Sequence, residues 1–266
     1  MFESIDWSRP WLRSVRAAHA SIGGVANWRE SLNRQAAAIN VCNELGKSVR
    51  FVEQEMLPQR VSYERFIHQS GQVPTRDNLH DYLNALVWLS FPRIKCQLNA
   101  LQASQIERDG IKAARGVARD AATVFDENAA LIVTREGNAG EQLLRRLRNH
   151  EWEQLFVVHR DEFIENCDVW LFGHALMEKL VTPYKAITAH AWPVIATDGY
   201  FGMSDIDKRQ WLDRQIAAQL QMHRNDSLST STFMPLPVLG VPGWWPSQDE
   251  HFYADEQVFR PKRLRG

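Results

Sequence analysis

VPTRDNLHDYLNALVWLSFPRIKCQLNALQ, residues 73–102, is the stretch on which the reading of this chain turns. A break at Gly71 to Pro74 precedes it. Thr75 opens a helix running to about Ser90, and its middle, YLNALVWL, is apolar nearly all round. A helix of that kind belongs in the interior of a protein. Pro92 fits the first turn of a following helix, 92–105, with Ser90 as its cap. Positions four apart share a helix face, so Arg76, His80, Asn84 and Trp88 line up, and Lys95 and Asn99 repeat the spacing on the next helix. Polar groups on an otherwise apolar helix are costly unless each has a partner. The row therefore reads either as the wall of a ligand pocket or as a buried hydrogen-bond network that fixes helix packing. In the pocket reading His80 is a general base or metal ligand, with Asp81 and Asn84 beside it, and Arg76, Trp88, Lys95 and Asn99 contact the substrate.

On the N-terminal side, residues 27–46 read as a helix. Asn27 caps it, Glu30 follows three positions on, Trp28, Leu32, Ile39, Cys42 and Leu45 form the apolar stripe, and Gly46 stops it. VRFV at 49–52 has strand character, and MLP at 56–58 is a turn. On the C-terminal side, ATVF (122–125) and ALIV (130–133) flank Asp126, Glu127 and Asn128 and predict a β-hairpin. A short helix over 141–149, a strand at 155–158, a helix over 168–180 and an extended run over 186–194 follow. Ser204 with Asp207 caps a helix running to His223. The fold class expected is α+β: a helix-rich single domain with one small antiparallel sheet. Within it, 27–226 form the core. A Pro- and Trp-rich segment, 227–259, wraps over that core, and 260–266 form a basic frayed tail.

Composition narrows the function classes. The chain has 266 residues, a formal net charge of -1, and 44% hydrophobic and 24% charged residues. Near-neutral charge makes nucleic acid an unfavoured partner. The 24 Arg against 7 Lys leave room for a small anionic ligand, since guanidinium pairs bidentately with carboxylate and phosphate; ordinary surface ion pairs are the plainer use. Cys42, Cys96 and Cys167 form no CxxC pair, and the N-terminus has no signal-peptide apolar region. No run approaches a membrane span. A cytoplasmic protein without membrane contact is the expectation, with its oligomeric state open. The 10 Trp serve as core anchors or, less simply, as stacking platforms. Gly23 and Gly24 are a lone pair in a loop. Phosphate-binding loops, dinucleotide fingerprints, nucleophile elbows and HExxH are missing.

Two further constellations could carry chemistry. In LFGHALMEKL (171–180), His174 and Glu178 lie four apart on one helix face, a spacing for two ligands of one divalent ion, zinc or manganese. His190, in ITAHAW, is a possible third ligand from an extended segment, with His80 a possible fourth. Asp126 and Glu127, as carboxylates at a strand end, suit metal-dependent phosphoryl hydrolysis; the turn of the hairpin, which favours Asp and Asn, is the plainer use of the stretch.

At these residues the chain resembles an uncharacterised bacterial family, domain-of-unknown-function family 3025. The resemblance lies in VPTRDNLHDYLNALVWLSFPRIKCQLNALQ, VFDENAALIV, FGHALMEKL with TAHAW, and the PLPVLGVPGWWP…FYADEQVFRP tail, spanning about residues 50 to 262. It implies one domain that includes the aromatic tail, and no activity, fold or cofactor. Two functions compete. One is a metal-assisted hydrolase of a small anionic or phosphorylated substrate held by Arg76 or Lys95. The other is a non-catalytic binding protein in which the polar row is structural and the aromatic tail or basic C-terminus meets a partner.

Overall fold

The computed structural model describes residues 2, 5–22, 27–110, 116–222 and 228–262. Gly23, Gly24, His223 and the last four residues of the basic tail lie outside them. In chain order the helices are α1 (Arg13–Ile22), α2 (Trp28–Ala38), α3 (Tyr63–Ser70), α4 (Leu79–Ser90), α5 (Pro92–Asp109), α6 (Val117–Asn128), α7 (Asn138–Asn149), α8 (Arg160–Asn166), α9 (His174–Lys179), α10 (Asp198–Phe201), α11 (Asp205–Met222) and α12 (Glu250–Tyr253). The strands are β1 (Arg50–Val52), β2 (Gln72–Pro74), β3 (Ala129–Arg135), β4 (Cys167–Leu171), β5 (Thr188–Ala196) and β6 (Met234–Pro237). The fold is α+β and helix-rich. It carries two sheets where one was expected, and the larger is mixed: its order is β4-β3-β5-β6, with β3 parallel to β5 and antiparallel to β4. The smaller is a parallel pair, β1-β2. None of the described helices is long and apolar enough to cross a membrane.

The central stretch is helical as its pattern demands, but the first helix opens at Leu79 rather than at Thr75, and Pro74 ends strand β2. Asn78 caps α4 by accepting the backbone N–H of Asp81, and every residue from Asp81 to Ser90 is buried. Pro92 starts α5. Its cap is not Ser90, whose hydroxyl is buried without a partner, but a carboxylate from far along the chain. Asp213 on α11 accepts the backbone N–H groups of Arg93 and Ile94 at 3.1 and 2.9 Å. Burial pushes the Asp213 carboxyl up to about 6, against the pull of those two N–H groups.

Several elements differ from the sequence reading. The α2 helix ends at Ala38 because Asn40 adopts φ +52 and turns the chain back, so that Val41 N–H bonds Ala36 and Cys42 pairs with Ser48. Ile39 and Leu45, counted as stripe residues, are exposed. The hairpin at 122–133 is a helix running into a strand, α6 into β3. Ala118, Ala121, Ala122 and Phe125 recur at helical spacing and are the buried face of α6. Residues 154–158 form a π-helical turn rather than a strand. The helix expected over 168–180 is strand β4 and then α9, divided at Gly173. The C-terminal segment adds β6 to the sheet edge, and Trp244 and Trp245 are half-buried against the core.

Candidate metal centre

Three elements converge where α6 ends. Lys95 enters from α5, buried, and its ammonium sits 2.8 Å from Asn84 Oδ1 and 2.6 and 2.8 Å from the two oxygens of Asp126. These acceptors use all three donors of the ammonium. Burial pushes the Asp126 carboxyl up, but Lys95 and His174 outweigh it and hold the group below its ordinary value. With Asp126 so anchored, its backbone carbonyl accepts from His174 Nδ1 at 2.9 Å. Glu127, the next residue, points its Oε2 to 3.6 Å from His174 Nε2.

His174 starts α9 because Gly173 lets the chain press against the α6–β3 junction. The N–H groups of Phe172 and Gly173 both bond the Ala129 carbonyl. A Cβ at Gly173 would fall 2.6 Å from backbone atoms of Asn128 and Ala129. From the opposite side, α4 supplies His80. Its Nδ1 lies 2.8 Å from Glu178 Oε2, and its Nε2 lies 3.1 Å from His174 Nε2. His80 Nε2, His174 Nε2 and a Glu127 oxygen form a set in which all atoms lie within 4.8 Å of one another.

The hydrogen bonds fix the tautomers. A backbone carbonyl only accepts, so His174 Nδ1 carries the proton. The Glu178 carboxylate likewise accepts from His80 Nδ1. A protonated ring would donate an N–H···N hydrogen bond across this 3.1 Å gap; in two neutral rings both Nε2 atoms are bare and their lone pairs face each other. That arrangement is repulsive unless a positive centre lies between them. Two nitrogens bound tetrahedrally to zinc at about 2.0–2.1 Å stand about 3.3 Å apart, close to the spacing seen. Glu178 and the Asp126 carbonyl occupy the outer positions that orient ligating imidazoles in metal sites. Desolvation lowers the His174 pKa to about 4, against the pull of Asp126, so the ring is neutral at physiological pH, as a ligand must be.

The centre opens into a cleft of about 330 Å³ lined by these groups together with Tyr63, Glu64, Arg76, Asp81 and Asn84. Sequence reading placed His80, Asp81, Asn84, Asp126, Glu127, Arg76, Lys95, His174 and Glu178 as candidates, and the fold brings them to one place. Their pairings differ from those expected. Glu178 meets His80 rather than sharing an ion with His174, and the carboxylate whose oxygen lies within 4.8 Å of both imidazole nitrogens is that of Glu127. Asp81 is not the partner of His80: it is bound by the Arg76 guanidinium through two contacts of 3.0 Å and by the Arg76 N–H. Arg76 precedes α4 and so is not on its helical row.

Three candidates stand apart from the cleft. His190 lies on β5 with its Nδ1 3.0 Å from the Asn128 amide. Trp88 is buried behind the cleft, with the Lys95 ammonium 5.4 Å from its ring centre. Asn99 is buried and donates to the Glu64 carbonyl and carboxylate at 2.9 and 2.8 Å. Tyr63 and Glu64, which line the cleft, were missed. They open α3 in a stretch, SYERF, with no special spacing, and only the packing of α3 on α5 brings them in.

Glu64 has a testable consequence. Burial pushes its carboxyl up to about 7, aided by Asp126 and opposed by Asn99, Lys95 and Arg119. The folded protein thus holds a proton that the unfolded chain releases near 4.5. Stability contributed by this group is intact below about pH 4.5, falls as pH rises toward 7, and stays reduced above it. In chelator-treated protein, Glu64→Gln should match wild type at pH 4 and exceed it by about 2–3 kcal/mol at pH 8 in urea unfolding. A constant difference across that range would contradict this placement of the charge.

Neither the curated proteins nor the solved structures give a match to this chain. A family model matches residues 49–263, from β1 through the C-terminal segment, and so covers all the residues of the centre. The chain belongs to the family described as Protein of unknown function (DUF3025).

Proposed function

We propose that this chain is a metal-dependent hydrolase whose centre is one divalent cation held by His80, His174 and Glu127. The observation that supports it is the pair of imidazole Nε2 atoms facing each other beside a carboxylate, each ring held at Nδ1 by its own outer partner. Two imidazoles and one carboxylate are a donor set suited to zinc, with the cleft side left for water and substrate. A cation there supplies the Lewis acidity that makes water a nucleophile near neutral pH. Glu178 and the Asp126 carbonyl keep both rings in the ligating tautomer. Lys95 fixes Asp126, and through it the end of α6 that carries Glu127.

The sharing of one apolar core by the helices and both sheets supports treating the chain as one domain. The competing reading, a non-catalytic protein with a structural polar row, would need the gap between His80 and His174 to be closed by a proton. Elemental analysis after loading with zinc and desalting separates the two. Wild type should retain about one equivalent and His174→Ala less than a tenth. Retention below a tenth by wild type itself would favour the non-catalytic reading.

A further inference from the structure

The cleft identifies a donor that the cation site does not use. Lys95 can only donate, so the Asn84 oxygen that meets it at 2.8 Å must accept. The Asn84 amide is thereby locked with its NH2 toward Tyr63, 3.1 Å from the phenolic oxygen. That NH2 can only donate, so the Tyr63 oxygen accepts. The polarity runs in one direction from Lys95 to Tyr63, and it leaves the phenolic O–H to donate away from Asn84. Among the described residues no acceptor takes that proton, and Tyr63 lines the cleft with His80, Glu127 and His174.

The charges around it define what it meets. Arg76 is the one cation among the lining residues, and it is bound to Asp81 through two contacts of 3.0 Å. The Lys95 ammonium, behind the wall, is spent on Asp126. Glu64, Asp81, Asp126 and Glu127 all face or border the space. Apart from the proposed divalent ion, an anionic substrate would find no cationic side chain in the lining that is not already paired with a carboxylate, whereas an uncharged one needs none.

We propose that Tyr63 donates its hydrogen bond to the carbonyl oxygen of an uncharged ester or amide substrate. This rests on the metal-dependent hydrolase reading. Water adds through its oxygen to the carbonyl carbon while the carbonyl electron pair moves onto the oxygen that Tyr63 faces. When that pair returns, the bond to the leaving oxygen or nitrogen breaks, and the protons of water end on the leaving group and the acid product. Tyr63 keeps its own proton throughout and steadies the charge as it develops.

The test uses the full chain loaded with cobalt, read by its visible spectrum, with acetamide as an uncharged carbonyl probe. Tyr63→Phe should keep one equivalent of cobalt and the wild-type melting temperature while binding acetamide about tenfold to a hundredfold more weakly. Inorganic phosphate should perturb the wild-type spectrum only at concentrations at least tenfold above those of acetamide. Equal acetamide affinity in the two cobalt-loaded proteins would overturn the role of Tyr63, and phosphate binding as tight as acetamide would overturn the substrate class. Failure of wild type to take up cobalt would instead remove the metal reading itself.

Discussion

Replacing Lys95 with Met is expected to destabilise the protein by about 3–5 kcal/mol, the cost of leaving one half of a buried ion pair alone. The Lys95 and Asp126 side chains are 5% and 15% exposed, so water can do little to solvate the orphaned carboxylate. Asn84 would lose its acceptor's partner as well, and the amide would be free to flip. The expectation has an internal control. Removing the opposing charge too, in Lys95→Met with Asp126→Leu, should recover a large part of the loss, because a buried pair replaced by apolar groups of similar size is often close to neutral. Urea unfolding at pH 7 measures both. A single variant within 1 kcal/mol of wild type would mean that the ammonium is hydrated and that the chain of polarity running through Asn84 is not fixed.

The second large effect lies at Gly173. Its φ of -60 is available to any residue, so conformational freedom is not why glycine stands here. The reason is contact: a Cβ would meet Asn128 Cα and N and Ala129 N at 2.6 Å, all backbone. Backbone at a helix-to-strand junction cannot step aside as a flexible side chain can. Gly173→Ala should therefore cost about 2–3 kcal/mol. The displaced α9 would also draw His174 off its bond to the Asp126 carbonyl. Loss of an outer partner of a ligating imidazole weakens metal binding by about 10- to 100-fold. Thermal unfolding and a zinc titration test the two parts separately. A variant that loses stability while binding zinc as wild type does would show that His174 is held by its ligands rather than by the junction.

Much of the site was legible because its residues sit at helical spacing on helices that have no business carrying them. An imidazole, an amide and an ammonium over 80–95, in a run as apolar as YLNALVWL, have to be paired, and pairing required other polar groups nearby. What the sequence could not supply was the pairing itself. His174 and Glu178 share a face of α9, and spacing alone makes them two ligands of one ion; the approach of α4 gives Glu178 to His80 instead. Asp, Glu and Asn in succession suit a turn, and that signal masks the helical repeat of Ala118, Ala121, Ala122 and Phe125 that carries Glu127 at the end of α6. Tyr63 and Glu64 carry no local signal, since their place depends on α3 docking against α5. The Asp213 cap on α5 is likewise a contact between residues 120 apart in sequence, out of reach of any local rule. In the fold, the helices were found more surely than the strands. β3 is buried on both sides and lacks the alternation that marks a half-exposed strand.

Crystals of the zinc-soaked protein, with diffraction recorded on both sides of the zinc absorption edge, measure the central claim most directly. An anomalous peak about 2.0–2.1 Å from His80 Nε2, His174 Nε2 and a Glu127 oxygen is the result expected. Continuous density between the two imidazoles at 3.1 Å with no anomalous signal, in crystals whose zinc is bound elsewhere or not at all, would contradict it.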